Sequence, residues 1–309
     1  MTRWAAYLSD DRRKALSYVE HIRLLCCEFE VRTNSRDVID RLSYLTQRAE
    51  QDVPIVDRCT VIVTWTGEEF HISGDGIEDD FELSITSGLQ TLYQRLNGRA
   101  IAALPDHIRI NAASGISAGG SFLIMGPQHA GKTTLALSLM LEGVDITGDE
   151  LVLLLGRNAL AFPRKFYAKE DSLRHVPRMR HNERFTACIG NPQESRFVAL
   201  DPLEFGKPWK IAPAAVSRIF YIEPNHGSRS ELRRSGKVEM TRRLIPHCAP
   251  PLSGRQGWLG DLCATVDRAD TFIIEFGDID TALTATLRAL GQGPERNQPS
   301  IGESVDAIR

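Results

Sequence analysis

Gly126-Pro127-Gln128-His129-Ala130-Gly131-Lys132-Thr133 has the spacing G-x4-G-K-[ST], the pattern of a loop whose backbone N–H groups wrap phosphate oxygens. Before it, Ser121-Phe122-Leu123-Ile124-Met125 reads as a short buried strand; after it, Thr133 to Leu141 reads as a helix apolar on most sides. The first N–H groups of such a helix have no partner within it and point at an anion, where the helix dipole also favours negative charge. The spacing predicts a nucleotide site made by Gly126, Pro127, Gln128, His129, Ala130, Gly131, Lys132, Thr133 and Thr134. Lys132 is expected to reach the β- and γ-phosphates and Thr133 to ligate Mg²⁺ through its hydroxyl, so ATP or GTP is the first ligand to consider, and ATP and Mg²⁺ are the expected cofactors. His129 occupies a place that is often Gly, and a side chain there restricts the backbone if φ is positive.

A helix over residues 132–141 carries the chain roughly 15 Å from the phosphates, at about 1.5 Å per residue. Gly143 ends it, and an extended Val144 to Gly148 returns a similar distance, so Asp149 and Glu150 arrive level with the loop. Alternation along a strand turns one carboxylate to the metal and the other to the acceptor, a division between metal ligand and base. Thr133, Asp149 and Glu150 are the expected metal set; Asp149, Lys132 and Arg164 are the expected catalytic residues. Thr271 to Phe276 and Ile219 to Glu223 read as core strands ending in exposed acids.

The run from Gly126 through Glu150, with its phosphate loop, short helix, Gly143 and adjacent acids, resembles the core of the HPr kinase/phosphorylase family. The resemblance covers mainly residues 105–170 and extends to the HPr-kinase-related kinases, including those that tailor lasso-type peptides by phosphorylating a serine hydroxyl. It implies a phosphoenolpyruvate-carboxykinase-like fold, phosphate binding by Lys132, Mg²⁺ ligation by Thr133, activation of an acceptor hydroxyl by Asp149 and a second metal role for Glu150. The chain departs from the family at Asn111, where a histidine is expected, and Asn cannot carry the proton of a reverse, phosphorolytic step.

The elements around this core predict an α/β (α+β) chain with a mixed sheet. Residues 1–104 read as a smaller N-terminal α+β domain, 105–290 as the P-loop kinase domain, and 291–309 as a disordered tail rich in Gly, Pro and polar residues. In the first unit, Leu16, Val19, Ile22 and Leu25 recur at helical spacing; Phe29 to Thr33 is a strand, and Asp37 to Arg48 is a helix with Val38, Ile39, Leu42 and Leu45 on one face. Thr60 to Trp65 and Glu69 to Ile72 form a hairpin, and Leu89, Leu92 and Leu96 mark a helix. Substrate docking, self-association or stability is the expected role of this unit. In the second, Ile108 to Ala113 and Gly115 to Ala118 are expected to pair as a hairpin, Leu151 to Leu155 and Ala159 to Phe162 as another, and Thr281 to Leu290 to form the last helix.

With 37 basic and 40 acidic residues the chain has no global field to recruit nucleic acid or membrane. No run of about 18 apolar residues occurs, and a soluble cytoplasmic protein is expected. The six cysteines show neither a disulfide framework nor metal spacing. Between Arg157 and Arg184, Arg164, Lys165, Lys169, Arg174, Arg178 and Arg180 outnumber Glu170, Asp171 and Glu183, a segment suited to gripping phosphate or an acidic substrate. His175 and His181 lack supporting ligands for a metal. Arg229, Arg233, Arg234, Arg242 and Arg243 read as an exposed face or an oligomer contact. The expected reaction is transfer of the γ-phosphoryl group to an alcohol, a serine hydroxyl of a peptide, protein or small acceptor. The alternatives are a nucleotide-dependent switch without phosphotransfer and a phosphoenolpyruvate-carboxykinase-like enzyme.

Overall fold

The computed structural model describes residues 16–45, 49–164, 166–169, 176, 197–200, 210–225 and 227–291. The expected tail lies outside these residues from 292 onward, and so does the end of the helix expected to reach Arg48.

The N-terminal part is a five-stranded sheet backed by two helices. Its elements are β1 (Tyr18–Leu24), β2 (Cys27–Thr33), α1 (Arg36–Leu45), β3 (Asp57–Trp65), β4 (Phe70–Gly74), β5 (Ile77–Glu82) and α2 (Ile85–Ala102), with the strands in the order β1-β2-β3-β4-β5. β2 and β3 run parallel across the α1 crossover, and the other pairs are antiparallel. The helical spacing read over Leu16 to Leu25 is overturned, because this segment is β1 and the turn after it. What decides the matter is period two: Ile22 and Leu24 are buried on the inner face while Val19 stays exposed, and the ladder Ile22↔Phe29 and Leu24↔Cys27 pairs the side of the strand that faces β2. α2 opens on Ser84, whose side chain accepts from Ser87 N–H, and buries Leu89, Leu92 and Leu96 on the sheet.

The remainder is built on a ten-stranded mixed sheet. In chain order its elements are β6 (Ile108–Ile110), β7 (Ala113–Ser117), β8 (Gly120–Met125), α3 (Lys132–Leu141), β9 (Asp145–Gly148), β10 (Val152–Leu155), β11 (Asn158–Ala161), β12 (Ala214–Pro224), β13 (Glu231–Arg234), α4 (Lys237–Leu244), β14 (Cys248–Ala249), α5 (Trp258–Arg268), β15 (Asp270–Phe276) and α6 (Ile279–Ala289). The order is β9-β7-β8-β12-β11-β10-β6-β14, with β15 also beside β12 and β13 beside β15. β8, β12 and β15 are parallel, so their carboxyl ends share one edge of the sheet. Phe122, Phe220 and Phe272 carry the apolar face of this centre, the last two rings stacked at 5.3 Å.

The expected hairpin of Ile108 to Ala113 with Gly115 to Ala118 does not form. β6 pairs with β10 and β14, and β7 pairs with β8 and β9 instead. Ala112 and Ala113 are fully buried, and the chain crosses there from one end of the sheet to the other rather than turning back. Among the described residues the protein is mixed α/β, with six α-helices. The inner side chains of the β10–β11 hairpin, Leu153, Leu160 and Ala161, together with Phe162, join the same apolar cluster as Phe29, Val61 and Phe70 of the N-terminal sheet. A short parallel pairing of Glu50–Gln51 with Lys210–Ile211 ties the two parts a second time.

Candidate functional site

β8 ends at Met125 and α3 begins at Lys132, so the loop Gly126 to Gly131 leaves the carboxyl edge of the sheet and enters a helix amino terminus. Two glycines make this path. Gly126 takes φ +152 with a Cβ position 2.7 Å from the Ile222 carbonyl oxygen, and Gly131 takes φ +99 against the Phe276 ring. Neither place admits a side chain without moving backbone or ring. His129 is also left-handed, at φ +65, a conformation that only a few per cent of non-glycine residues adopt.

The amino end of α3 has no side-chain cap and no acid in its first turn. Its dipole and N–H groups are therefore uncompensated by the chain itself, as an anion site requires. Lys132 folds back over the loop, its Nζ donating to the Gly126 and Pro127 carbonyls at 3.0 and 2.8 Å. Burial holds its ammonium below the ordinary lysine range, while the charges of Asp149 and Glu150 pull the other way.

α3 ends where Gly143 takes φ +89, and β9 returns the chain to the loop. Thr133 Oγ1 donates to Asp149 Oδ2 at 2.7 Å. Asp149 is only 2% exposed, and its other oxygen, Oδ1, is buried without a hydrogen-bond partner. Burial pushes this carboxyl up to about 6; the Thr133 hydrogen bond opposes the shift and the neighbouring Glu150 charge reinforces it.

Glu150 does not share this setting. The strand stops at Gly148, so the expected alternation of two carboxylates along a strand is not what positions them. Glu150 is in the left-handed region at φ +70 and turns its carboxylate to Arg164, 2.5 Å from the guanidinium. Asp149 is the buried acid and Glu150 the half-exposed, ion-paired one. Arg164 stands beside the acids through this pairing, following the β10–β11 hairpin. Lys165, Glu170, Asp171, Arg174, His175, Arg178, Arg180, His181, Glu183 and Arg184 lie outside the described residues, as does the side chain of Lys169. Among the described residues no three of His, Cys, Asp and Glu gather in one place to hold a metal. Mg²⁺ commonly takes one or two carboxylates and completes its shell with substrate phosphates and water, and Thr133 with Asp149 suits that habit.

At the start of the loop, Pro127 of the motif meets residues that lie outside it. Pro127, Tyr221, Glu223, Pro224, Asn225 and Glu275 line an open cleft of about 380 Å³ at the carboxyl ends of β12 and β15. His247 approaches Tyr221 from a 3₁₀ turn, Ile245–His247, with its Nε2 3.3 Å from the phenol oxygen. Asn111, which stands where the family resemblance expects a histidine, donates its N–H to the His247 carbonyl at 2.9 Å. Burial lowers the His247 imidazole below the usual histidine range, and the positive charge of Lys132 adds to this. Arg243, read from the sequence as part of an exposed face, lies over the Tyr221 ring at 5.3 Å and is ion-paired to Glu223 and Glu239. Arg233 pairs with Glu239 as well, and Arg234 stays exposed over Phe272. Only a long-range pattern could have shown the set, since Tyr221 and His247 are 26 residues apart and Pro127 lies nearly a hundred earlier.

No helix among the described residues is long and apolar enough to cross a membrane. The five described cysteines are free, three of them buried. No family model matches the chain, and no curated protein matches it in sequence.

Proposed function

We propose that the chain is a Mg²⁺- and ATP-dependent phosphotransferase of the HPr-kinase-related type, acting on an alcohol, with a serine hydroxyl of a peptide, protein or small acceptor as its substrate class. The observation that carries the reading is Asp149: a carboxylate sealed from water, one oxygen held by the phosphate-loop Thr133 and the other without a partner. A buried oxygen left unpaired costs about 1–3 kcal/mol, and a cation or a hydroxyl proton arriving there removes that cost. A hydroxyl can keep donating to Asp149 Oδ2 while its lone pairs face a metal, so Thr133 and Asp149 can hold Mg²⁺ together.

When bound, Mg·ATP supplies the terminal phosphoryl group and the charge that neutralises it. The N–H groups of Gly131 to Thr134 bind and orient the phosphates, and Lys132 exchanges the Gly126 and Pro127 carbonyls for phosphate oxygens. Asp149 takes the proton from the acceptor hydroxyl, with its unpaired Oδ1 as the receiving atom. Arg164, now tied to Glu150 next to Asp149, is placed to share the developing charge. The mixed sheet and the short return from α3 to Asp149 support the phosphoenolpyruvate-carboxykinase-like architecture that the family resemblance implies.

The test is incubation with γ-labelled ATP and serine-bearing acceptors, read by mass spectrometry. Asp149→Asn is expected to leave nucleotide uptake in calorimetry nearly intact while transfer falls by orders of magnitude; equal loss of both sinks the base assignment. The Glu150–Arg164 ion pair favours a second reading, a nucleotide-dependent switch that rearranges without transferring phosphate. Slow release of ADP with no labelled acceptor selects it.

A further inference from the structure

We infer that the cleft bounded by Pro127, Tyr221, Asn225 and Glu275 is the acceptor pocket, and that it takes a hydroxyl compound carrying a positive charge close to that hydroxyl. This rests on the phosphotransferase reading and goes past it, because neither the phosphate-loop motif nor the resemblance assigns Tyr221, Asn225 or Glu275.

The placement follows from the direction of the loop. In a loop of this type the motif lysine meets the terminal phosphates. Lys132 Nζ lies on the carbonyls of Gly126 and Pro127, so the first residues of the loop mark the terminal-phosphate end. Pro127 is also a wall of the cleft. The cleft opens at the carboxyl ends of the parallel strands β12 and β15, the edge at which α/β sheets hold ligands. His247 feels the charge of Lys132 and reaches the Tyr221 phenol, which joins the lysine and the cleft wall into one neighbourhood.

The charge class follows from what is already paired. Glu223 is held by Arg243, and Arg243 also covers the Tyr221 ring, so this corner is neutral. Glu275 sits opposite, level with Glu223 on the neighbouring strand, and no described residue hydrogen-bonds its carboxylate. Its charge acts on Arg233, but that guanidinium is engaged by Glu239. The cleft therefore presents one negative charge beside two polar groups, the Tyr221 hydroxyl and Asn225. An ammonium or guanidinium group complements the first, and a hydroxyl the second.

The experiment uses the full chain labelled with ¹⁵N-histidine, with the His247 ring resonance assigned by comparison with His247→Gln. The resonance is expected to move with Mg·AMP-PNP, which carries a terminal phosphate, and to stay in place with Mg·ADP. With AMP-PNP bound, ethanolamine is expected to shift it at concentrations about tenfold lower than ethylene glycol or glycolate, the difference a charge-assisted hydrogen bond supplies. Glu275→Gln is expected to remove that preference. The inference is overturned if ADP and AMP-PNP move His247 equally, if none of the three small acceptors moves it, if glycolate binds as well as ethanolamine, or if Glu275→Gln leaves the preference intact. Failure of both nucleotides to bind in calorimetry defeats the phosphotransferase reading itself and this inference with it; binding without discrimination at His247 defeats only the inference.

Discussion

Asp149→Asn changes how stability depends on pH in a way the structure lets one calculate. The carboxyl rises from the ordinary aspartate value of about 3.9 to about 6 in the folded chain. The folded state therefore holds a proton that the unfolded chain has released. The contribution of this group to stability is fully present below the unfolded value and is lost as pH climbs through the folded one. At about 1.4 kcal/mol per tenfold, the full loss is about 3 kcal/mol, of which about 2 kcal/mol falls between pH 4.5 and 7.5. Asn cannot ionise and keeps an oxygen for the Thr133 hydroxyl. Its amide N–H groups inherit the unpaired position of Oδ1, a cost of about 1–3 kcal/mol that does not vary with pH.

The assay is urea denaturation of the apo chain in parallel series for parent and variant, without Mg²⁺ or nucleotide. Subtracting the variant's profile from the parent's cancels the titrating groups that do not feel the charge of Asp149. The difference is expected to run against the parent by about 2 kcal/mol from pH 4.5 to 7.5. Parallel profiles for the two proteins refute the assignment of Asp149 as a buried, uncompensated acid.

Lys132→Ala is expected to weaken ATP uptake by about 10- to 100-fold in calorimetry, the range of one lost charge-assisted contact. Gly126→Ala sets a Cβ 2.7 Å from the Ile222 carbonyl oxygen, and a destabilisation of roughly 1–3 kcal/mol by denaturant titration, together with lost nucleotide binding, is expected. Phe162→Ala empties part of the apolar cluster shared by the β10–β11 hairpin and the N-terminal sheet; about 3–5 kcal/mol is expected, with far-UV dichroism and intrinsic fluorescence still falling in a single transition.

The phosphate loop, α3 and the return to Asp149 were legible because they are local. Each follows from a glycine, a run of apolar residues or a rise per residue within 25 positions. The hairpins at Thr66 to Glu68 and Gly156 to Asn158 were legible for the same reason. β1 was not, since Leu16, Val19, Ile22 and Leu25 fit a helical period and only the partner strand β2 selects extended backbone. β6 and β7 were misjoined because their true partners lie far along the chain, and proximity in sequence favours a hairpin. Tyr221, His247 and Glu275 carry no signature in their own surroundings; Tyr221 and Glu275 meet because β12 and β15 run parallel and end on one edge, and His247 reaches Tyr221 from the 3₁₀ turn. Arg243 was read as surface because four other arginines lie near it in sequence, and only its place over Tyr221 distinguishes it.

The apolar cluster that Phe162 shares with the N-terminal strands also bears on how the molecule responds to ligand. Two positions beyond Phe162 comes Arg164, which grips Glu150, and Glu150 adjoins Asp149 under the phosphate loop. Freezing the loop from one side thus stiffens a wedge driven into the far sheet. Amides of β2 and β3, in a different sheet from the phosphate loop, should exchange their hydrogens more slowly once nucleotide is present.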